Sequence, residues 1–247
     1  NKRIMKAIFK KEIKQFFSTF GGVLIFSIFL FLNSIFLWIS NAAGTNILSL
    51  SYSNIDGLFF LSPFLFIIFI PTICMKLFSE EFNSGTSEIL LTKAITTWKI
   101  VLGKYFASIA LLLIFIIPTF FFPISVSLLS DSEGIDLGGL IGSYIGLFLL
   151  GAIFCSIGIF TSALSSNNMS SLILSVILCS LLFFGFDIIS KLSVLKNYEL
   201  LISNFGISPH YKTMSMGLIS LKDTVYFIST ISFFLIMTET IVKLRKQ

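Results

Sequence analysis

Few residues in this chain could do chemistry. A phosphate-cradling loop needs Gly, four residues, then Gly-Lys followed by Ser or Thr. The only Gly-Lys step, Gly103-Lys104, has Trp98 where the first Gly belongs and Tyr105 where the hydroxyl belongs. Any ATP hydrolysis would therefore have to happen on another chain, and no cofactor is expected here. The lone histidine, His210, excludes a His-Glu-(x)2-His metal site. No Gly-(x)-Ser-(x)-Gly elbow for acyl transfer occurs. An ion-driven secondary transporter needs carboxylates at mid-span, whereas Asp187 and Glu239 fall near the ends of apolar runs. An acyl- or lipid-modifying enzyme would have to use His210 and Asp223, with too few polar residues around them to complete a site. No catalytic residue and no metal ligand is assigned.

What remains is one substantial polar stretch between long apolar runs, Lys76 to Tyr105. It contains Glu80, Glu81, Asn83-Ser84-Gly85, Thr86, Glu88, Leu90, Leu91, Thr92 and Lys93. Asn-Ser-Gly is turn chemistry, because Gly accepts backbone angles that side chains forbid. Thr86 is placed to cap a short helix with Glu88 near its positive end and Ile89, Leu90 and Leu91 on its second turn. Thr96-Thr97 is a second helix start. A short, half-apolar surface helix between two spans must cover its apolar face with headgroups or with a partner.

Composition sets the solvent. Of 247 residues, 55% are hydrophobic, 30 are Phe and only 12% are charged. Mean hydropathy is +0.99. Such a chain cannot be wrapped in polar surface, so lipid surrounds it. Cys74, Cys155 and Cys179 all lie inside apolar runs and read as small buried hydrophobes. A net charge of +5 would suggest nucleic acid in a soluble protein. Here the positive residues gather at the termini and in one loop, which is a topology signal, and no nucleic-acid partner is expected.

The predicted fold is an all-α integral membrane protein, residues 1–247 forming one permease-like domain. Residues 1–17 place Ile4, Ile8, Phe9, Ile13 and Phe16 on one helical side and most Lys and Arg opposite. That is an interfacial helix resting on anionic membrane lipid. Six spans follow, at about 22–40, 57–75, 106–129, 138–163, 171–190 and 224–242. The first is read as an uncleaved span, since its apolar core exceeds a signal-peptide core and more spans follow. The second carries Pro63 and Pro71 and is expected to kink or end early near Pro71. Asn33 is available to bond across helices. Gly138, Gly142 and Gly146 recur every four residues, a helix-packing pattern that serves internal contacts or a subunit interface equally well. Asp187–Lys191 and Glu239–Lys243 have i,i+4 ion-pair spacing. Residues 191–222 are too polar to span and should pack as short helices on the outer face. Thirteen of the Lys and Arg residues then fall on inner segments and four on outer ones, with both termini inside.

The string Glu80-Glu81-(x)3-Gly85-Thr86-(x)-Glu88-(x)-Leu90-Leu91, followed by Trp98-Lys-Ile-Val-Leu-Gly103-Lys104, resembles the first cytosolic loop of type-2 ABC exporter permeases. Gly206-Ile-Ser-Pro-His210-Tyr211 and Met216-Gly217 to Tyr226-Phe227 are similar to the gliding-motility-associated permease subunit (Gld F type) of Bacteroidetes. Relatives usually have Pro where this chain has Ala94. The resemblance implies a bacterial inner-membrane subunit whose loop carries a coupling helix. That helix would dock on an ABC ATPase subunit through Glu80, Glu81, Gly85, Thr86, Glu88, Leu90, Leu91 and Thr92. It also implies a second permease copy or a related permease (Gld G type), with an unspecified cargo.

Overall fold

Among the described residues, six helical stretches are long and apolar enough to cross a bilayer. The structure is a computed structural model describing residues 2–39, 47, 55–85, 96–129, 136–191 and 198–245. The chain opens with α1 (Lys2–Ser18) and α2 (Phe20–Trp38), separated by an extended Thr19. Next come α3 (Asp56–Cys74) and α4 (Lys76–Asn83), then α5 (Thr97–Ile116), a tight turn at Ile117–Phe120 and α6 (Phe121–Leu129). The longest helix, α7 (Leu137–Leu164), is followed by α8 (Asn168–Ser180), a π-helical turn at Leu181–Gly185 and α9 (Phe186–Ser190). Two short helices, α10 (Glu199–Ser203) and α11 (Ile207–Ser215), precede the last, α12 (Leu221–Leu244). No strand occurs among the described residues. The crossings are α2, α3–α4, α5–α6, α7, α8–α9 and α12. An even number of crossings brings both termini to one end, here called the terminal end, and leaves α10 and α11 at the distal end.

The bundle is built around α7. Some 78% of its most apolar stretch is buried, against 17% for α8–α9 and 22% for α2. Small residues make this possible, because helices associate closely only where side chains are short. A Cβ on Gly151 would meet the Leu112 side chain of α5 at 2.6 Å, and one on Gly158 would meet Cys74 of α3 at 2.6 Å. At the distal end, a Cβ on Gly142 would lie 2.5 Å from the Gly217 carbonyl oxygen, and one on Gly146 would lie 2.6 Å from Met214. Gly217 itself has φ +81°, which side chains resist, so the turn between α11 and α12 can press onto α7. Gly138 meets only the Asp136 carboxylate, which caps α7 by accepting from the Gly138 N–H at 3.0 Å.

Prolines leave carbonyls that tyrosines answer. A proline removes the helical donor for the carbonyl four residues earlier. Pro63 frees Phe59 O, which instead accepts from the Tyr211 hydroxyl at 2.6 Å. Pro123 frees Thr119 O, which accepts from the Tyr144 hydroxyl at 3.0 Å. Within a bilayer a freed carbonyl must find a donor in the protein, so these tyrosines tie irregular helices to their neighbours.

Several sequence expectations change here. The second span is helical through Pro71 as far as Cys74, close to the expected 57–75, and past Met75 the chain continues as α4 to Asn83. The helix of the third span starts at Thr97, as the Thr96-Thr97 start signal predicts, nine residues before the apolar run, and its first turns pack against α1 and α12. The apolar side of α1 rests on α5, with Ile8 buried and Ile13 and Phe16 partly so. Asp187 and Lys191 do not pair, since α9 ends at Ser190 and Lys191 sits in the following turn. Glu239 and Lys243 do, at 2.6 Å. The three cysteines are buried and free. Asn33 is buried and turns back on its own helix, its amide donating to Phe29 O at 2.8 Å.

Tyr211→Phe should lower stability by about 1–3 kcal/mol, the cost of a buried unsatisfied polar group. The same change in a Pro63→Ala background should cost clearly less, because Phe59 O regains a helical donor. Thermal unfolding of the four detergent-solubilised proteins measures the cycle; equal costs in both backgrounds would detach the tyrosine from the proline.

Candidate functional site

The helix extension α4 is where the described part of the polar stretch meets the bundle. Its amphipathic sequence, Lys-Leu-Phe-Ser-Glu-Glu-Phe-Asn, buries Leu77, Phe78 and Ser79. Beneath it lies Lys104, whose side chain is fully buried on α5. An ammonium group has three donors, and three acceptors surround it. These are the Leu77 carbonyl oxygen, Glu81 Oε2 at 2.8 Å and Glu12 Oε1 of α1 at 3.3 Å. The Phe78 ring covers it, 4.6 Å from nitrogen to centroid. Lys11, on the rim, reaches Glu81 Oε1 at 2.6 Å. Desolvation would lower the Lys11 pKa, but the adjacent Glu81 and Glu12 carboxylates outweigh it and hold it above the ordinary lysine value.

Three further contacts hold α4. Ser162 of α7 sits in the break between α3 and α4: its hydroxyl donates to Met75 O at 2.9 Å. The same oxygen accepts from the N–H groups of Phe78 (2.9 Å) and Ser79 (3.1 Å). The donors left at the start of α4 are thereby satisfied across helices. Ser79 Oγ also reaches Asn168 Oδ1 at the start of α8. At the end of α12, Arg245 stacks on Phe82 at 4.3 Å and donates to Leu164 O, the last turn of α7, at 2.6 Å. Helices α1, α5, α7, α8 and the tail of α12 all grip this one short helix. Close by, Glu239 of α12 accepts from the Thr97 hydroxyl at 3.0 Å, tying the start of α5 to α12.

Of the residues proposed for partner contact, Glu80, Glu81 and Gly85 are described. Glu81 is committed to the chain's own lysines rather than standing at a free rim, because the buried Lys104 requires a counter-charge. Glu80 is half-buried, with Oε2 shielded from solvent. Gly85 has φ +69° with open space where a Cβ would go, so its constraint is backbone conformation and not packing. Thr86, Glu88, Leu90, Leu91 and Thr92 lie outside the described residues. Sequence reading put Lys104 among the charges of the inner loop and did not single out Glu12. The available hint was a lone acidic residue in an otherwise basic segment.

The rival enzymatic pair is brought together, but as a clamp. His210 Nδ1 lies 2.6 Å from Asp223 Oδ1 and Nε2 lies 3.0 Å from Asn204 O. The Tyr226 ring stacks on the imidazole at 4.0 Å, and its hydroxyl donates to Phe205 O at 2.7 Å. His210 and Asp223 are both buried. Both ring nitrogens are occupied, so neither is available to a substrate, and the group instead fastens α11 to α12. No cluster of His, Cys, Asp or Glu among the described residues could hold a metal ion.

Lys104→Ala should leave two buried carboxylates facing each other and cost about 3–5 kcal/mol, as when one member of a buried ion pair is removed. Adding Glu12→Gln and Glu81→Gln to that variant should recover most of the loss. Melting temperatures of parent, single and triple variants decide it, and an unchanged single variant would remove the network from the account.

A protein-family model described as ABC-2 family transporter protein matches residues 42–247. No curated protein matches the chain. The match spans most of the sequence, from just after the first crossing through the last, and includes the gripped helix α4 and the polar stretch that follows it. A multi-pass helical bundle of this family works with an ABC ATPase partner. The chain belongs to the ABC-2 transporter family and is a membrane-spanning permease subunit of an ABC transporter.

Proposed function

We propose that this subunit serves an export-type transporter in a bacterial inner membrane, with both termini cytosolic, and that force enters through residues 80–92. The observation that carries this reading is the position of α4. It continues the second span, is held by five other helices, and leads at Gly85 directly into the segment that resembles a coupling helix. A load applied just beyond Gly85 reaches α3 through the Met75 break, α5 through Lys104, and α7 through Ser162. These are the two most buried crossings and the one beside them. The ATPase supplies the ATP and magnesium chemistry. Similarity of the Gly206–Tyr211 and Met216–Phe227 segments to the gliding-motility type supports that assignment, with a second copy or a Gld G type permease completing the route.

In this reading Leu90 and Leu91 fill a groove on the ATPase. Burying a leucine is worth about 1.5–3 kcal/mol, so Leu90→Asp should weaken ATPase capture roughly tenfold or more. Gly85→Val should also reduce capture, because a β-branched residue resists positive φ. Glu88→Gln should matter little, as exposed ion pairs contribute about 0–1 kcal/mol. Pull-down at equal membrane expression is the assay, and full retention by Leu90→Asp would reassign the segment to the membrane surface.

Orientation has its own test. In intact cells an impermeant thiol reagent should modify a cysteine introduced at Ser203 and spare one at Ser84. Labelling at Ser84 would invert the arrangement.

A further inference from the structure

At the distal end, a cleft of about 360 Å³ opens between α3, the π-helical turn and α11. That volume lies in the range of small-molecule pockets, about 300–1,000 Å³. Both long walls depart from regular helical bonding where they border it: Pro63 within α3 lacks a backbone donor, and the facing span contains the π turn that carries Phe183 and Phe184. Helix irregularities of this kind frequently accompany functional sites. The lining is graded. Asp56 lies at the first turn of α3, and Phe60 and Phe64 follow one and two turns farther along it. Eight residues of helix span about 12 Å, less than the roughly 15 Å of one leaflet's hydrocarbon. Phe60 and Phe64 are 56% and 43% exposed, so apolar surface lies open inside the cleft.

The polar end carries a matched set. Ser208, Lys212 and Ser215 all line the cleft from α11, at spacings of four and three residues that put them on one helical face. Lys212 is exposed and enters no ion pair among the described residues. An ammonium flanked by hydroxyls suits a phosphate, and the Asp56 carboxylate adds the opposite charge at the same end. An apolar chain with a head group of both signs answers every part of this lining.

We propose that the cleft binds one phospholipid with a zwitterionic, ethanolamine-type head group. Its phosphate contacts Lys212 and Ser208, its ammonium points toward Asp56, and one acyl chain lies along Phe60, Phe64 and Phe184. The bound lipid bridges α3 and α11 at the face of the Tyr211–Phe59 hydrogen bond, so it sits where the distal cap meets the second span. This site stands independently of where an ATPase docks.

The test uses the full chain, delipidated in detergent and titrated with phosphatidylethanolamine by native mass spectrometry. Phosphatidylethanolamine should bind several-fold more tightly than phosphatidylglycerol. Lys212→Gln should weaken it about tenfold, equivalent to roughly 1.4 kcal/mol, Lys212→Arg should restore it, and Lys243→Gln at the opposite end should leave it unchanged. Chain-free glycerophosphoethanolamine should fail to compete. Undiminished binding by Lys212→Gln, equal binding of both lipids, or effective competition by the chain-free head group would each overturn the proposal. So would disulfide-linked dimers of a Phe60→Cys variant in membranes, which would show that a second copy covers the cleft.

Discussion

A lysine with no exposed side-chain surface dictates the architecture of the terminal end. Moving an ammonium group out of water costs several kcal/mol even after relaxation, and only close counter-charges with good geometry offset it. Lys104 meets that requirement by drawing in one carboxylate from α1 and one from α4, with a backbone carbonyl for its third donor. Three segments far apart in sequence are thereby fixed at one point. On the rim, Lys11 of α1 adds a second tie to Glu81 of α4, so α1 and α4 are joined both beneath and beside the buried lysine. A purely apolar contact would allow α1 to slide along α5, whereas the ion pairs fix its register.

The two ends of the molecule solve the membrane's constraint differently. At the terminal end, backbone groups exposed by the break at Met75 are satisfied by Ser162. At the distal end, carbonyls freed by Pro63 and Pro123 are satisfied by tyrosines. Both solutions use a side chain from a neighbouring helix, so each irregularity becomes a tertiary tie. The helix α7 supplies two of these side chains, Ser162 and Tyr144, and its glycines bring α3, α5 and the α11–α12 turn within reach. It is therefore the common support on which α3, α4, α5 and the α11–α12 turn pack.

If force enters beside α4, as proposed, the subunit needs a stiff path from there into the membrane. The grip on α4 meets that requirement, with charge, hydrogen bonds and ring stacking converging on eight residues. A graded aromatic cleft lies at the far end, beside Pro63 of α3 and the π turn of the facing span. Movement imposed at α4 would be felt there through α3, which forms one wall of the cleft and continues into the gripped helix.

The sequence by itself determined the all-helical membrane class, since runs of apolar residues this long have no other stable solvent. It also marked the polar stretch after the second span and the family motif within it, and the Glu239–Lys243 pair followed from helical spacing alone. Other features lay beyond it. Apolar runs locate hydrocarbon, not helix ends, so the extension of α3 into α4 went unread, whereas the Thr96-Thr97 start signal marked where α5 begins. The glycine row announced close packing without naming the partner, because any small-residue stripe suits a neighbour in the same chain or another. Lys104 looked like a loop charge. Its partner Glu12 lies 92 residues away and the Tyr211–Phe59 bond joins residues 152 apart. No local spacing encodes contacts at such separation: they depend on which helices become neighbours, and only the packed bundle decides that.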